Sequence, residues 1–227
     1  MQVNELDDFL DRYIDSYLLT DLENIKTNIP PTISGNAAYM ITAAVCSGME
    51  LLGSLTTTLQ TLPGCEECGK HEQLRFKFPI DHYCKHYLSR VDKRYETFGP
   101  IARELIRNGI MHNFATKGKI GITRMIDREE HLTRMSDQEI LVISADYFFE
   151  DFKKSYLAFA RPDIRLGGPK HDLAVTNYEK MREVKAHEIE RTMAAMEGKL
   201  DTWPQVDMGV IYSPILVDRI EDRGEII

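Results

Sequence analysis

The segment from about Asn36 to Leu59, NAAYMITAAVCSGMELLGSLTTTL, constrains the fold more than any other. It has no helix breaker in its interior except small glycines, and its only charged residue is Glu50. A helix of this composition has to pack against other helices rather than face water. A surface of small side chains, which lets a second helix approach closely, is formed by Ala43, Ala44, Ser47 and Gly48.

Other segments also favour helices, so the sequence predicts a mainly all-α fold of about five to six helices. Apolar residues at helical spacing, or helix-favouring composition between breakers, mark residues 4–25, 79–90, 92–114, 146–160 and 170–197. Short β-branched stretches after Phe114 predict a small β-hairpin or an irregular pair of strands. We expect one domain over residues 1–200, followed by a C-terminal arm over residues 201–227.

Length and charge narrow the class of protein. The 227 residues suffice for a real core, and the net charge of −8 argues against a protein that coats nucleic acid through a broad basic surface. A local basic site remains open, because KGKIGITR at 117–124 holds three cations and no acid. The chain has no uninterrupted apolar run of about 18 residues and no signal peptide pattern, so we expect a cytoplasmic protein without a membrane span.

The stretch LIRNGIMHNF, residues 105–114, places polar groups in an otherwise apolar helix. At about 100° per residue, Asn108 and His112 share a face, whereas Arg107 and His112 diverge by about 140°. One ideal helix therefore does not aim all three side chains at one atom. Gly109 could loosen the helix, or a symmetric partner could place a second copy of the motif across a seam.

These residue types suit the cleavage of RNA without a metal. A histidine can take a proton from a ribose 2′-hydroxyl or give one to a leaving 5′-oxygen, and an arginine can stabilise charge on the phosphorus. Spacing alone favours a structural interpretation. In that interpretation Arg107 pairs with Glu104 or Glu50, and His112 is a histidine near a helix end.

The motif and its surroundings resemble the HEPN superfamily. The pattern is an arginine, a polar residue, three further residues and a histidine on the last helix of a helical core. The segments AAYMITAAVCSGMELLG and YETFGPIARELIRNGIMHNF are similar to the second helix and the motif helix of that family. The likeness covers about residues 1–160.

The resemblance implies a helical bundle and, in many members, a metal-independent endoribonuclease of toxin–antitoxin, phage-defence or RNA-processing systems. It also implies a homodimer whose two motifs face a shared cleft, no cofactor, and an antitoxin or regulatory protein as a possible partner. Arg107 would contact the scissile phosphate, Asn108 would support it, and His112 would be the acid and base. Other members are inactive or only bind RNA, a nucleotide or a protein.

Further residues are candidates for binding substrate or metal. Lys117 and Lys119 follow the motif, Arg103 precedes it, and Glu50 can pair with an arginine of the motif helix or reach solvent at a helix margin. A weak zinc pattern, which we do not expect to be occupied, consists of Cys65, Cys68, His71 and Cys84. A small zinc-stabilised structural protein is therefore a third interpretation.

Overall fold

The computed structural model describes residues 5–32, 36–62, 73–76, 78–113, 116, 119–135 and 139–196, with backbone alone at 59–62, 73–76, 111–113, 188 and 195. The described part is mostly helical and includes a small sheet, which confirms the predicted mainly helical class. The chain divides into two compact units, Met1–Val175 and Thr176–Ile227. The predicted arm, residues 201–227, lies outside the described residues.

The helices largely follow the sequence pattern. We label them α1 (5–28), α2 (Ala38–Thr56), α3 (Pro79–His86), α4 (99–113), α5 (145–164) and α6 (His171–Met196). Three of them contain a wider, π-helical stretch, at Leu10–Leu19, Ala102–Arg107 and Tyr156–Ala160. A short 3₁₀ turn at Leu88–Arg90 takes the place of the end of the helix predicted at 79–90. Another, at Lys93–Thr97, takes the place of the start of the helix predicted from about residue 92. Because proline is favoured in the first turn of a helix, α4 starts beside Pro100.

Helix α2 forms the centre of the larger unit. Close approach of α3 and α5 depends on two of its glycines: a β-carbon at Gly53 would lie 2.1 Å from the Pro79 carbonyl oxygen, and one at Gly48 would lie 2.7 Å from the Phe152 ring. Part of the predicted small-residue surface is thus covered by the chain itself. Around α2 lie fully buried aromatic side chains, including Tyr83, Tyr87, Tyr95, Phe148, Phe149, Phe152 and Tyr156.

Burial also explains the hydropathy of α2. Among the helices described, Ala38–Thr56 is long and apolar enough to cross a membrane, but 61% of its apolar window is buried inside the fold. The core helices of soluble proteins share this property. The composition of α2 is therefore accounted for by its central position.

The β-structure predicted after Phe114 is a three-stranded sheet. Strand β5 (Ile140–Ser144) lies between β3 (Ile120–Thr123), to which it is parallel, and β4 (Thr133–Met135), to which it is antiparallel. A simple hairpin would have paired only sequential strands. A second, antiparallel pair consists of β1 (Leu59–Leu62) and β2 (Gln73–Phe76), between α2 and α3, where the sequence pattern predicts no strand.

A buried arginine ties the sheet to the helices. The Arg124 side chain is 1% exposed and pairs with Asp146 at 2.7 Å. Its guanidinium also donates to the carbonyls of Lys26, Ile29 and Asn36, at 2.7, 2.6 and 3.0 Å. Arg124 therefore satisfies the C-terminal carbonyls of α1 and is not part of an exposed basic surface.

Candidate functional site

Arg107 and Asn108, in the motif at residues 105–114, lie where α4 changes from π-helical to α-helical geometry. The Asn108 N–H donates to the Arg103 carbonyl, five residues back, and Asn108–Asn113 continues as an α-helix. The widened stretch therefore precedes Gly109 instead of forming at it. Because residues 108–113 keep α-helical geometry, the backbone positions of Arg107 and His112 remain about 140° apart around the helix. The side chain of His112 is not among those described.

Arg107 is held at the surface by two neighbours. Its Nε donates to Oε2 of Glu50 at 3.1 Å, and Nη2 donates to Oε1 at 3.3 Å. Its Nη1 donates to the side-chain oxygen of Asn108 at 3.0 Å. The side chains of Arg107 and Glu50 are 34% and 40% exposed, so the guanidinium is oriented yet within reach of a solute.

The same contacts continue along α4 as a charged network. Asn108 Nδ2 donates to Glu104 at 3.3 Å, and Glu104 in turn pairs with Arg103. Arg103 also donates to Asp81 of α3 at 3.1 Å, and its guanidinium lies 4.4 Å from the centre of the Phe78 ring. Glu50 therefore pairs with Arg107 and not with Arg103, although the sequence was compatible with either pairing.

The network carries more acid than base. Its carboxylates are Glu50, Glu104 and Asp81, and its guanidiniums are Arg103 and Arg107. Each guanidinium already has carboxylate partners, so an incoming phosphate would compete with these carboxylates for the arginine N–H groups. The network is therefore a mixed-charge surface and not an open basic one.

Of the two candidate lysines after the motif, Lys119 is among the described residues. Lys119 pairs with Glu139 at 2.7 Å, and both side chains are well exposed. Lys117 lies outside the described residues. With Arg124 buried, Lys119 is the cation of the 117–124 segment that the described structure places at the surface.

Of the four residues in the weak zinc pattern, only Cys84 is among the described residues. Cys65, Cys68 and His71 lie outside the described residues. Cys84 is fully buried in α3, and burial raises the pKa of its thiol well above the ordinary value, which disfavours the thiolate that binds zinc. In the part of the chain that the structure describes, no three His, Cys, Asp or Glu side chains are grouped as a metal site.

Sequence reasoning missed a buried polar cluster. The Tyr95 hydroxyl lies 2.8 Å from His131 Nε2 and donates to Asp151 at 2.9 Å, and Arg128 pairs with Asp151 at 2.7 Å. His131 and Tyr95 are fully buried. These residues come from three separate segments, and only the long-range fold brings them together.

The hydrogen bonds of this cluster fix the tautomer of His131. The Ser144 backbone N–H donates to His131 Nδ1 at 3.0 Å, so Nδ1 carries a lone pair and Nε2 carries the proton. Nε2–H then donates to the Tyr95 oxygen, and Tyr95 donates to Asp151. Burial, with Arg128 and Arg94 nearby, lowers the pKa of His131 to about 3, so the imidazole is neutral. Because Tyr95, His131 and Asp151 are buried, we assign this cluster a structural role.

No protein-family model, curated protein or solved structure matches this chain. The site therefore has to be interpreted from its own residues. Of the candidates in the motif, the structure brings Arg107, Asn108 and Glu50 into direct contact and places Arg103 in the same network through Glu104.

Proposed function

We propose that this protein is a metal-independent endoribonuclease of HEPN type, with Arg107, Asn108 and His112 as its catalytic residues. The observation that supports the proposal most is the exposed, oriented guanidinium of Arg107, held by Glu50 and Asn108 on the helix that also carries His112. A guanidinium fixed in this way is prepared for a phosphate oxygen at little further cost in side-chain entropy.

In the proposed reaction His112 accepts the proton of a ribose 2′-hydroxyl. The 2′-oxygen attacks the adjacent phosphorus, the bond to the 5′-oxygen breaks, and the leaving oxygen takes the proton from the protonated His112 imidazole. Arg107 stabilises the negative charge that gathers on the phosphoryl oxygens, and Asn108 keeps its guanidinium in place. The products end in a 2′,3′-cyclic phosphate and a 5′-hydroxyl.

The proposed assembly is a cytoplasmic homodimer. Arg107 and His112 diverge around α4, so two copies that face each other would let Arg107 of one protomer and His112 of the other act on one phosphate. RNA is the proposed substrate, Lys117 and Lys119 are proposed contacts to its backbone, and an antitoxin or regulatory protein is a further proposed partner. In such a setting the enzyme would serve as a toxin or in defence.

The alternative is a non-catalytic interaction module that binds RNA, a nucleotide or a protein. The specific observation in its favour is that both arginines of the network are already paired with carboxylates. In such a module the network would present a mixed-charge surface to a partner, and His112 would have no proton to transfer.

The decisive experiment is incubation of the purified protein with total RNA in the presence of EDTA. Cleavage that survives chelation, gives cyclic phosphate ends and disappears in His112→Ala supports the enzyme. The matched control is His187→Ala, an exposed histidine of α6, which should cleave like the parent. Equal activity in His112→Ala contradicts the proposal, and absence of cleavage across diverse RNAs favours the interaction module.

A further inference from the structure

A second group of bases lies away from the motif, around Tyr87. His82 and His86 are one turn apart on α3, with ring centres 4.4 Å apart. Lys170 reaches the same place from the segment after α5, and its Nζ lies 5.0 Å from the centre of the Tyr87 ring, which is itself 6.5 Å from that of His82. His82 and Lys170 therefore lie near the Tyr87 ring, and His86 lies against His82.

The backbone that presents Lys170 is fixed. The Lys170 N–H donates to the Asp163 carbonyl at 2.9 Å, and the Gly168 N–H donates to the Arg165 carbonyl at 2.8 Å. The turn needs glycine, because φ is +85° at Gly167 and a β-carbon at Gly168 would lie 2.2 Å from the Pro162 carbonyl oxygen. Lys170 is thus held beside α3 by a tight, hydrogen-bonded turn.

Among the described residues, no direct ion pair joins His82, His86 or Lys170 to a carboxylate. The buried Nε2 of His82 has no hydrogen-bond partner. Lys85 on the same helix adds further positive charge, and Asp163 is the acid that acts on Lys170. Burial, with His86 and Lys170 nearby, lowers the pKa of His82 to about 4. Positive charge on His82 and Lys170 is therefore disfavoured, and a bound anion would stabilise it.

We propose that His82, His86 and Lys170 form a binding site for a phosphate group. The tetrahedral anion would accept from the Lys170 ammonium and from the ring N–H groups of the two histidines, and its charge would offset their mutual repulsion. A divalent metal fits less well, because Lys85 and Lys170 would repel it and only two imidazoles are at hand. This site is separate from the proposed catalytic motif and does not depend on it.

Phosphate binding can be tested with the intact protein by following the histidine ring resonances by NMR. The probe is inorganic phosphate at constant ionic strength, with chloride as the balancing anion, and resonances are assigned with His82→Asn and His86→Asn. We expect saturable shifts of both rings with a Kd on the order of 1 mM. Bound phosphate should also raise the pKa of both imidazoles, because an anion favours their protonated form.

Matched variants distinguish the site from general electrostatics. Lys170→Ala should weaken phosphate binding about tenfold, the usual scale for loss of one charge-assisted hydrogen bond. Lys154→Ala, which removes an exposed lysine of α5, should leave it unchanged, as should Arg107→Ala. Adenosine monophosphate serves as a second probe: tighter binding than free phosphate assigns the site to a nucleotide, and equal binding assigns it to the phosphate alone.

Two results would overturn the proposal. One is that neither ring responds to phosphate, or that both respond equally to chloride. The other is that Lys170→Ala binds phosphate as the parent does. Zinc that shifts both rings at one equivalent while phosphate leaves them unmoved would replace the anion site by a two-histidine metal site.

Discussion

Glu50 of α2 and Arg107 of α4 meet in a two-point ion pair at the surface, with Nε to Oε2 at 3.1 Å and Nη2 to Oε1 at 3.3 Å. Because the two side chains are 40% and 34% exposed, the pair contributes at most about 1 kcal/mol to stability. A broken buried pair would instead cost about 3–5 kcal/mol. The main consequence of the contact is therefore the orientation of Arg107.

Replacement of Arg107 by alanine should separate activity from stability. The free energy of unfolding should fall by no more than about 1 kcal/mol in urea titrations, since the pair is solvated. RNA cleavage should fall about 10²- to 10³-fold, as for loss of a charge-stabilising donor. Arg134→Ala, which removes an exposed arginine paired with Glu139, is the control for both measurements. A stability loss of about 3 kcal/mol or more in Arg107→Ala would indicate a structural residue.

Neutralising Glu50 tests whether the carboxylate competes with RNA for Arg107. Glu50→Gln keeps the shape of the side chain but removes its charge, so Arg107 should bind a phosphate more readily and the affinity for RNA should rise. We expect about tenfold tighter binding, measured by fluorescence anisotropy with 2′-deoxy-substituted RNA that cannot be cleaved. Glu150→Gln, which disrupts the pair with Lys26 on another face, should leave affinity unchanged. Weaker binding by Glu50→Gln would mean that the orientation of Arg107 by Glu50 outweighs any competition between the carboxylate and RNA.

Mixed dimers test the proposed composite cleft. Arg107→Ala and His112→Ala chains should each be inactive alone, but a mixture should regain activity, because one of the two clefts in a mixed dimer combines an intact Arg107 with an intact His112. Light scattering should give about twice the chain mass of 26.1 kDa. A monomer that still cleaves RNA, or inactive mixtures of confirmed mixed dimers, would argue against a shared site.

Local patterns were enough to predict the helices but not their contacts. The apolar spacing of α2 was evident because helical periodicity is a local property, whereas the helix predicted from about residue 92 begins only at residue 99. Glu50 had two possible arginine partners in the sequence, and the choice depended on how α2 and α4 cross. In the structure Arg107 forms an ion pair with Glu50, and Arg103 forms one with Asp81.

Non-local pairings limited the prediction of strands and of the polar core. Strand β3 pairs directly and in parallel with β5, although β4 lies between them in the sequence. No turn sequence specifies such a pairing. The four-residue strands β1 and β2 are too short for their alternation to stand out beside the adjacent Pro63 and Gly64. Tyr95 and His131, 36 positions apart, carry no local sign that they meet.

The buried hydroxyl of Tyr95 should be important for stability. Tyr95→Phe keeps the ring but leaves His131 Nε2–H and Asp151 Oδ2 without that partner in the core. Each unsatisfied buried group costs about 1–3 kcal/mol, so urea unfolding should show a clear loss. Tyr17→Phe, at a side chain 55% exposed, provides the control and should be nearly neutral. A neutral Tyr95→Phe would show that the two groups find other partners.

His131 should make the fold less stable in mild acid. Its pKa is lowered to about 3 in the folded protein by burial and by Arg128 and Arg94, whereas an unfolded histidine titrates near 6.5. Between these values the unfolded chain binds more protons than the folded one, so the free energy of unfolding falls as the pH falls below about 6.5, and the full contribution is present above it.

Two comparisons isolate this effect in urea titrations from about pH 7 to about pH 5, where His131 should account for a loss on the order of 1–2 kcal/mol. His131→Gln offers an acceptor and a donor but cannot titrate, so it should be less stable than the parent at about pH 7 and show a flatter profile. Burial raises the pKa of Asp151, which acts in the opposite sense, but Asp151 is present in both chains. A loss in His131→Gln as steep as in the parent would assign the acid sensitivity to other groups, first of all His82, whose pKa is also lowered.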